Sequence, residues 1–179
     1  MTTDKLVTEF ETFRGELKSF ILRITASIQD TEDILQDTFI KAHSKIHTFK
    51  GESSLKTWVF SIASNLARDL LRSKHRWPEN VTDICKDAAL SNPQFFHEAM
   101  HIRETSPQGK FEIKEHIAFC FTCVSKSLPL EQHLSLLLKE VYSFKVKEIA
   151  QIMDRSVSSV DSLLIRAKKN LHRKLVEKK

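Results

Sequence analysis

The stretch from Lys145 to Lys174, K-V-K-E-I-A-Q-I-M-D-R-S-V-S-S-V-D-S-L-L-I-R-A-K-K-N-L-H-R-K, constrains this chain most. Val146, Ile149, Ala150, Ile152 and Met153 recur at helical spacing and predict one apolar helix face. A short polar turn follows. Val157, Val160, Leu164, Ala167 and Leu171 then predict the inner face of a second helix. Two short helices joined so tightly have the layout of a helix-turn-helix, whose second helix lies in the major groove of DNA.

The rest of the chain points to the same class. Only 3 glycines and 4 prolines occur in 179 residues, and no run alternates strictly between apolar and polar. The expectation is an all-α protein. No apolar run approaches the roughly 20 residues that span a bilayer, so no membrane segment is expected. Met1-Thr2-Thr3-Asp4 lacks the layout of a signal peptide, which predicts a cytoplasmic location. In that compartment Cys85, Cys120 and Cys123 are better suited to metal or redox chemistry than to a structural disulfide.

The net charge of +5 is uneven: residues 1–90 carry 13 basic and 13 acidic side chains, residues 91–179 carry 15 and 10. Much of the excess is Arg166, Lys168, Lys169, Arg173, Lys174, Lys178 and Lys179. A basic stripe along and beyond a recognition helix suits phosphate contacts. Cations also favour a solvated helix end, so charge alone separates the two readings poorly.

The apolar pattern divides the chain. Leu6, Phe10, Phe13, Leu17, Phe20, Ile21 and Ile24 predict a first helix within residues 1–28. Asp30-Thr31-Glu32-Asp33 opens a second, with Ile34, Leu35, Phe39 and Ile40 inward, running to about Ile46. The loop His47 to Ser54 contains Gly51. A third helix is predicted from Leu55 to Lys74, with Trp58, Val59, Ile62, Leu66, Leu70 and Leu71 inward. Pro78 ends this block. Residues 77–110 hold Pro78, Pro93 and Pro107 and read as a linker with one short helix near Phe95 to Glu104. Two small helical domains, 1–76 and 111–179, flank it.

Three segments carry a family resemblance. D-T-E-D-I-L-Q-D-T-F-I-K-A (Asp30 to Ala42), F-K-G-E-S-S-L-K-T-W-V-F-S-I-A-S-N-L-A-R-D-L-L-R (Phe49 to Arg72) and S-L-P-L-E-Q…E-I-A-Q-I-M…S-V-S-S-V (Ser127 to Val160) resemble bacterial sigma factors of the extracytoplasmic-function group. Separate motif blocks stand in the family's order and at about its spacing. The resemblance implies an RNA polymerase subunit without catalytic activity. Its first domain (region 2-like) would bind the polymerase clamp and open the minus-10 element. Its last (region 4-like) would read the minus-35 element. Core RNA polymerase, promoter DNA and an anti-sigma factor are the implied partners, and the chain is expected to be a monomer.

Asp33, Gln36, Asp37 and Lys41 recur at helical spacing in the segment resembling the clamp-binding helix; an ordinary solvated face is the alternative. The loop Phe49-Lys50-Gly51-Glu52-Ser53-Ser54 resembles the promoter-opening loop. A base drawn from the stack needs an apolar or aromatic wall and nearby hydrogen-bonding groups, and Phe49, Lys50, Glu52, Ser53 and Ser54 offer both. Phe49 also suits packing on Trp58. Asn65 can pair with a base edge, and Arg68, Arg72, Lys74, His75 and Arg76 can hold phosphates.

In the recognition helix Ser158, Ser159, Asp161, Ser162, Arg166 and Lys169 are the minus-35 candidates. Here the chain departs from the family, whose members usually carry a basic residue where Asp161 stands and an arginine where Leu163 stands. An acid repels phosphate, although it can accept a hydrogen bond from cytosine.

His116-Ile117-Ala118-Phe119-Cys120-Phe121-Thr122-Cys123 forms H-x3-C-x2-C on a predicted helix, with all three side chains on one face. His97 and His101 lie upstream, one turn apart. His116, Cys120, Cys123 and either His97 or His101 could supply the four ligands of one Zn2+. The spacing is similar to that of zinc-binding anti-sigma factors. Small core residues, or a Cys120–Cys123 redox pair, are the alternatives; Cys85 reads as a core or surface thiol. His97-Glu98-x-x-His101 also matches the zinc-peptidase pattern, without a cleft or supporting domain. A stand-alone helix-turn-helix regulator is the other competing function, but such a protein has no need of Phe49 to Arg72.

Overall fold

The computed structural model describes residues 3–73 and 128–176, and every regular element among them is helical. Helix α1 spans Thr3–Thr25, α2 Ile28–Lys45 and α3 Leu55–Ser73, with a 3-10 turn at Ile46–Thr48. After the second stretch begins, α4 spans Leu130–Leu136 and runs into a π-helical turn at Leu137–Val141. Helices α5 (Val146–Met153) and α6 (Val157–Val176) follow.

The seven apolar residues predicted to line α1 are all buried. Ala26 reverses the chain in the left-handed region (φ 55°). Ser27 then caps α2, its Oγ accepting from the Asp30 N–H at 3.2 Å. The helix therefore opens at Ile28, two residues before the predicted Asp30. The buried stripe of α2 is Thr31, Ile34, Leu35, Thr38 and Ala42. Thr31 is tolerable there because its Oγ1 donates to the Ser27 carbonyl at 2.6 Å.

Ile40 is not inward as expected; it is 54% exposed. At about 100° per residue it stands two positions from both Thr38 and Ala42, on the far side of the helix. Phe39 is half-buried, its ring 5.0 Å from that of Phe10 in α1.

Ser54 caps α3, accepting from the Thr57 N–H at 3.0 Å. The deepest residues of α3 are Val59, Phe60, Ala63, Ser64 and Ala67; Trp58, Ile62, Leu66 and Leu70 lie half-buried at its edges. The buried stripe is wider and rotated from the predicted one because α3 packs against α1, α2 and also α5.

Phe60 joins the two halves. Its ring lies 5.1 Å from Phe20 of α1, 5.0 Å from Phe144 and 6.1 Å from Tyr142. The π-helical turn sets up this contact: Tyr142 N–H reaches back to the Leu137 carbonyl at 3.2 Å, and Phe144 N–H to that of Leu138 at 3.0 Å. The Lys56 ammonium bonds both Glu16 carboxylate oxygens (2.7 and 2.8 Å) and stands 5.2 Å from the Phe144 ring centre. One continuous apolar core thus runs from α1 to α6.

The helix-turn-helix forms where predicted. Asp154 supplies the turn in the left-handed region (φ 52°, ψ 57°), and Arg155 N–H closes on the Ala150 carbonyl at 2.9 Å. Glu148 accepts from the Lys145 N–H at 2.8 Å at the head of α5. Ser156 caps α6 through the Ser159 N–H at 3.2 Å. Val160, Leu163, Leu164 and Ala167 face the core. Val157 does not: it is 43% exposed, on the first turn where no earlier turn covers it.

Candidate nucleic-acid interface

Three surfaces carry the candidate residues. On α2, Asp33, Gln36, Asp37 and Lys41 are all exposed, away from the stripe that packs on α1 and α3. Exposed Ile40 stands among them. Gln36 also borders a hollow of about 420 Å³ between α1 and α2, lined further by Phe10, Arg14, Glu32 and Phe39. This surface offers acids and an amide around one apolar side chain, a composition suited to a protein partner with basic groups.

The second surface is the loop before α3. Phe49 leaves the 3-10 turn with extended backbone, and its ring packs 5.2 Å from that of Trp58. Gly51 takes φ 75°, a conformation that disfavours a side chain. The chain then curls back to Ser54, whose Oγ lies 2.8 Å from Thr57 Oγ1. Together these enclose a cavity of about 280 Å³, walled by Phe49, Lys50, Glu52, Ser53, Trp58 and Gln151. Phe49 therefore does both jobs considered for it: it packs on Trp58 and lines the hollow. Just below the ~300–1,000 Å³ typical of ligand pockets, the cavity is on the scale of one flat ring rather than a drug-sized molecule.

Trp58 and Gln151 are among the lining residues that sequence reasoning missed. Trp58 had been read as core alone. Gln151 belongs to α5 and arrives from 99 positions away, its Nε2 donating to the Glu52 carbonyl at 3.5 Å. Nothing local in sequence signals that approach.

Beyond the loop, Asn65 is exposed on α3 and its Oδ1 accepts from Arg68 Nη2 at 2.7 Å. Arg72 is exposed beside Asp69 (3.4 Å). Arg68 itself is only 6% exposed. Its Nη1 donates to the Met153 carbonyl at 3.5 Å and lies 3.7 Å from Glu131. Glu131 also pairs with Arg155 at 3.3 Å. Burial pushes the Arg68 guanidinium below its ordinary value, and Glu131 opposes that shift. Lys74, His75 and Arg76 lie outside the described residues.

On α6, Ser158, Asp161, Ser162, Arg166 and Lys169 are exposed and Ser159 is half-buried. They lie opposite the core-facing Val160, Leu164 and Ala167. Arg166 Nε donates to the Ser162 carbonyl at 3.1 Å, which holds the guanidinium along the helix. Leu163 is 8% exposed, so it serves the core, and no cation is missing from the outer face at that position. The proposed metal ligands His97, His101, His116, Cys120 and Cys123, and also Cys85 and Glu98, lie outside the described residues. No described helix is long and apolar enough to cross a membrane.

Comparison with known proteins bears on these surfaces. The family pattern Sigma-70 region 2 matches residues 10–77, and Sigma-70, region 4 matches residues 119–171. The ECF RNA polymerase sigma-E factor of Haemophilus influenzae is 30% identical over 150 residues, covering 83% of this chain and 76% of the relative. That of Escherichia coli K12 is 27% identical over 163 residues, covering 91% and 82%. Among solved structures, CnrH in complex with the cytosolic domain of CnrY superposes with a TM-score of 0.67 at 17% identity, covering 99% of this chain and 92% of that one. The sigma factor RpoE in complex with the anti-sigma factor NepR from Bartonella quintana gives 0.61 at 18%, covering 96% of each. At such identities these two structures speak for the fold.

Proposed function

This chain belongs to the ECF RNA polymerase sigma factors, promoter-specificity subunits that bind core polymerase and are not enzymes, and we propose how its surfaces divide that work. The exposed face of α2, with Asp33, Gln36, Asp37 and Lys41, binds the polymerase clamp. The loop cavity receives a base drawn from the opened minus-10 strand, between Phe49 and the polar groups of Lys50, Glu52, Ser53 and Ser54. Asn65, Arg68, Arg72, Lys74 and Arg76 hold that strand. The outer face of α6, through Ser158, Ser159, Asp161, Ser162, Arg166 and Lys169, reads the minus-35 duplex.

The observation that carries this division is the aromatic-walled cavity beside a polar loop. A duplex reader alone has no use for it, since stacked bases never enter such a pocket. The experiment is transcription in vitro with core polymerase and a promoter library. Phe49→Ala should abolish promoter opening while polymerase binding persists. Unchanged opening would remove the pocket from the mechanism.

Two further parts of the reading concern partners. A protein inhibitor holds this chain between signals, by analogy with the structure of similar fold in which the sigma factor RpoE is in complex with the anti-sigma factor NepR. Co-purification from cells, followed by relief of inhibition on its removal, tests this. His116, Cys120, Cys123 and His97 or His101 bind one Zn2+, a structural or metal- and oxidant-sensing site. Their imidazole and thiolate donors suit that ion, and their spacing suits one helix face. Zinc analysis of the purified protein, with near-stoichiometric metal lost on Cys120→Ser, is the test. The His97-Glu98-His101 pattern needs no peptidase to explain it in a promoter-specificity subunit.

A further inference from the structure

Ile165 is an apolar side chain that the packing of α6 does not explain. It is 68% exposed and belongs to neither apolar cluster among the described residues. The buried apolar residues of α6 are Val160, Leu163, Leu164 and Ala167. At about 100° per residue, Ile165 stands about 140° from Val160 and about 160° from Ala167, on the outer side. Ser158, Asp161, Ser162 and Lys169 lie within about 60° of it by the same geometry. All four are exposed. An isoleucine thus sits in the middle of the polar face assigned above to the minus-35 duplex.

This placement does little for the free chain. A β-branched residue is a middling helix former, and one left in water contributes little burial. Its chemistry does suit the major groove. The hydroxyl, carboxylate and cationic side chains around it can donate to base edges or accept from them; isoleucine can do neither. The thymine C5-methyl is the one apolar group among the base-edge features that distinguish the pairs there. Set against an exocyclic amino group or a carbonyl oxygen, the same side chain would displace water and return no hydrogen bond.

We propose that Ile165 is a specificity-determining residue that reads the methyl group of one thymine in the minus-35 duplex. The inference rests on the reading of α6 given above and adds a base preference to it. Arg166 and Lys169 supply charge toward the phosphates, and Ile165 selects one A·T pair between them. The methyl belongs to one base of the pair, so the contact also separates T·A from A·T.

The test uses holoenzyme assembled from the full chain and a promoter that the wild type selects from a library. Each minus-35 thymine, on either strand, is replaced in turn by deoxyuridine, which lacks only the methyl. One replacement should weaken wild-type binding about three- to fivefold, the worth of one methyl group withdrawn from water. Ile165→Ala and Ile165→Ser should bind the unmodified promoter less tightly by about the same factor, and should be indifferent to that replacement. Because Ile165 is exposed, neither substitution disturbs the core. Ile28→Ala, at the head of α2 where the side chain is 74% exposed, should keep the wild-type sensitivity. The proposal is overturned if the selected element holds no A·T pair, if no replacement weakens the wild type, or if Ile165→Ala stays as sensitive as wild type at every thymine. Scrambling the whole minus-35 element without loss of wild-type affinity would instead overturn the reading of α6 itself.

Discussion

Arg68 reaches from α3 to the carbonyl of Met153, the last residue of α5, at 3.5 Å and across 85 positions of sequence. Glu131 completes the contact from the head of α4. An arginine so enclosed couples the halves through charge as well as through apolar packing. Arg68→Ala leaves a partly buried carboxylate and a carbonyl without this donor. Allowing for the partial exposure of Glu131, the expected loss of stability is about 1–3 kcal/mol. Urea denaturation followed by circular dichroism measures it. Arg68→Lys should recover only part, because an ammonium cannot reach Asn65, Met153 and Glu131 together. A loss below about 0.5 kcal/mol for Arg68→Ala, within the range of ordinary surface changes, would show that the contact contributes little.

Phe60 is the ring on which both halves meet, with Phe20 on one side and Phe144 and Tyr142 on the other. Phe60→Ala should cost about 3–5 kcal/mol, as for other fully buried aromatic rings. Because the core is continuous, the variant should weaken both halves. Two separate unfolding transitions in the wild-type chain, only one of them moved by the substitution, would contradict a shared core.

Much of this was legible in the sequence, and the exceptions have a common cause. Helical periodicity locates the face that meets the nearest neighbours, and so the seven apolar residues of α1 between Leu6 and Ile24, and Ile149, Ala150, Ile152 and Met153 of α5, are buried as expected. It fails where one helix meets two partners. Arg68 looks like part of a solvated side of α3, yet it is buried and donates to the Met153 carbonyl of α5. It fails also at ends and margins: Val157 and Ile40 match an apolar pattern but lie where no neighbour reaches. The loop before α3 was identified through its resemblance to a family, with an aromatic wall read from its residues. The contribution of Gln151 depended on long-range packing that no local pattern encodes.

Asp154 holds the turn of the helix-turn-helix in a left-handed conformation (φ 52°, ψ 57°). A side chain there costs on the order of 1 kcal/mol, less for Asp than for most residues, while glycine adopts it freely. Asp154→Gly should therefore stabilise the chain by up to about 1 kcal/mol, reduced by the greater freedom of glycine in the unfolded state. Asp154→Val should destabilise it by at least as much. Thermal denaturation of the two variants gives the sign directly; equal effects would mean that the turn relaxes to another conformation.

Asp37 lies exposed on the same side of α2 as Asp33 and Gln36, and nothing in the core depends on it. Asp37→Lys should leave the unfolding midpoint within about 0.5 kcal/mol of wild type. Its effect on polymerase binding should be larger, because a like charge set against a basic partner surface costs more than a lost contact. A weakening of tenfold or more, relieved as salt rises, is the expected result. Unaltered affinity would remove this face from the polymerase contact.

Asp161 is exposed on α6 between Ser158 and Ser162, one turn before Ile165 and Arg166. Near DNA its charge repels phosphate, and its most favourable base contact is as an acceptor from the cytosine amino group. Asp161→Asn should therefore tighten binding to duplexes of any sequence, by removing repulsion, while relaxing selection for cytosine at one minus-35 position. Asp161→Arg should go further: it adds one phosphate-neutralising cation, steepens the dependence of log affinity on log salt by about 0.9, and shifts preference toward guanine. Duplex affinities measured across a salt series and a single-position library separate the two effects. If Asp161→Asn changes affinity but not base preference, Asp161 acts on the duplex through charge alone, and the bases are read by Ser158, Ser162 and Arg166.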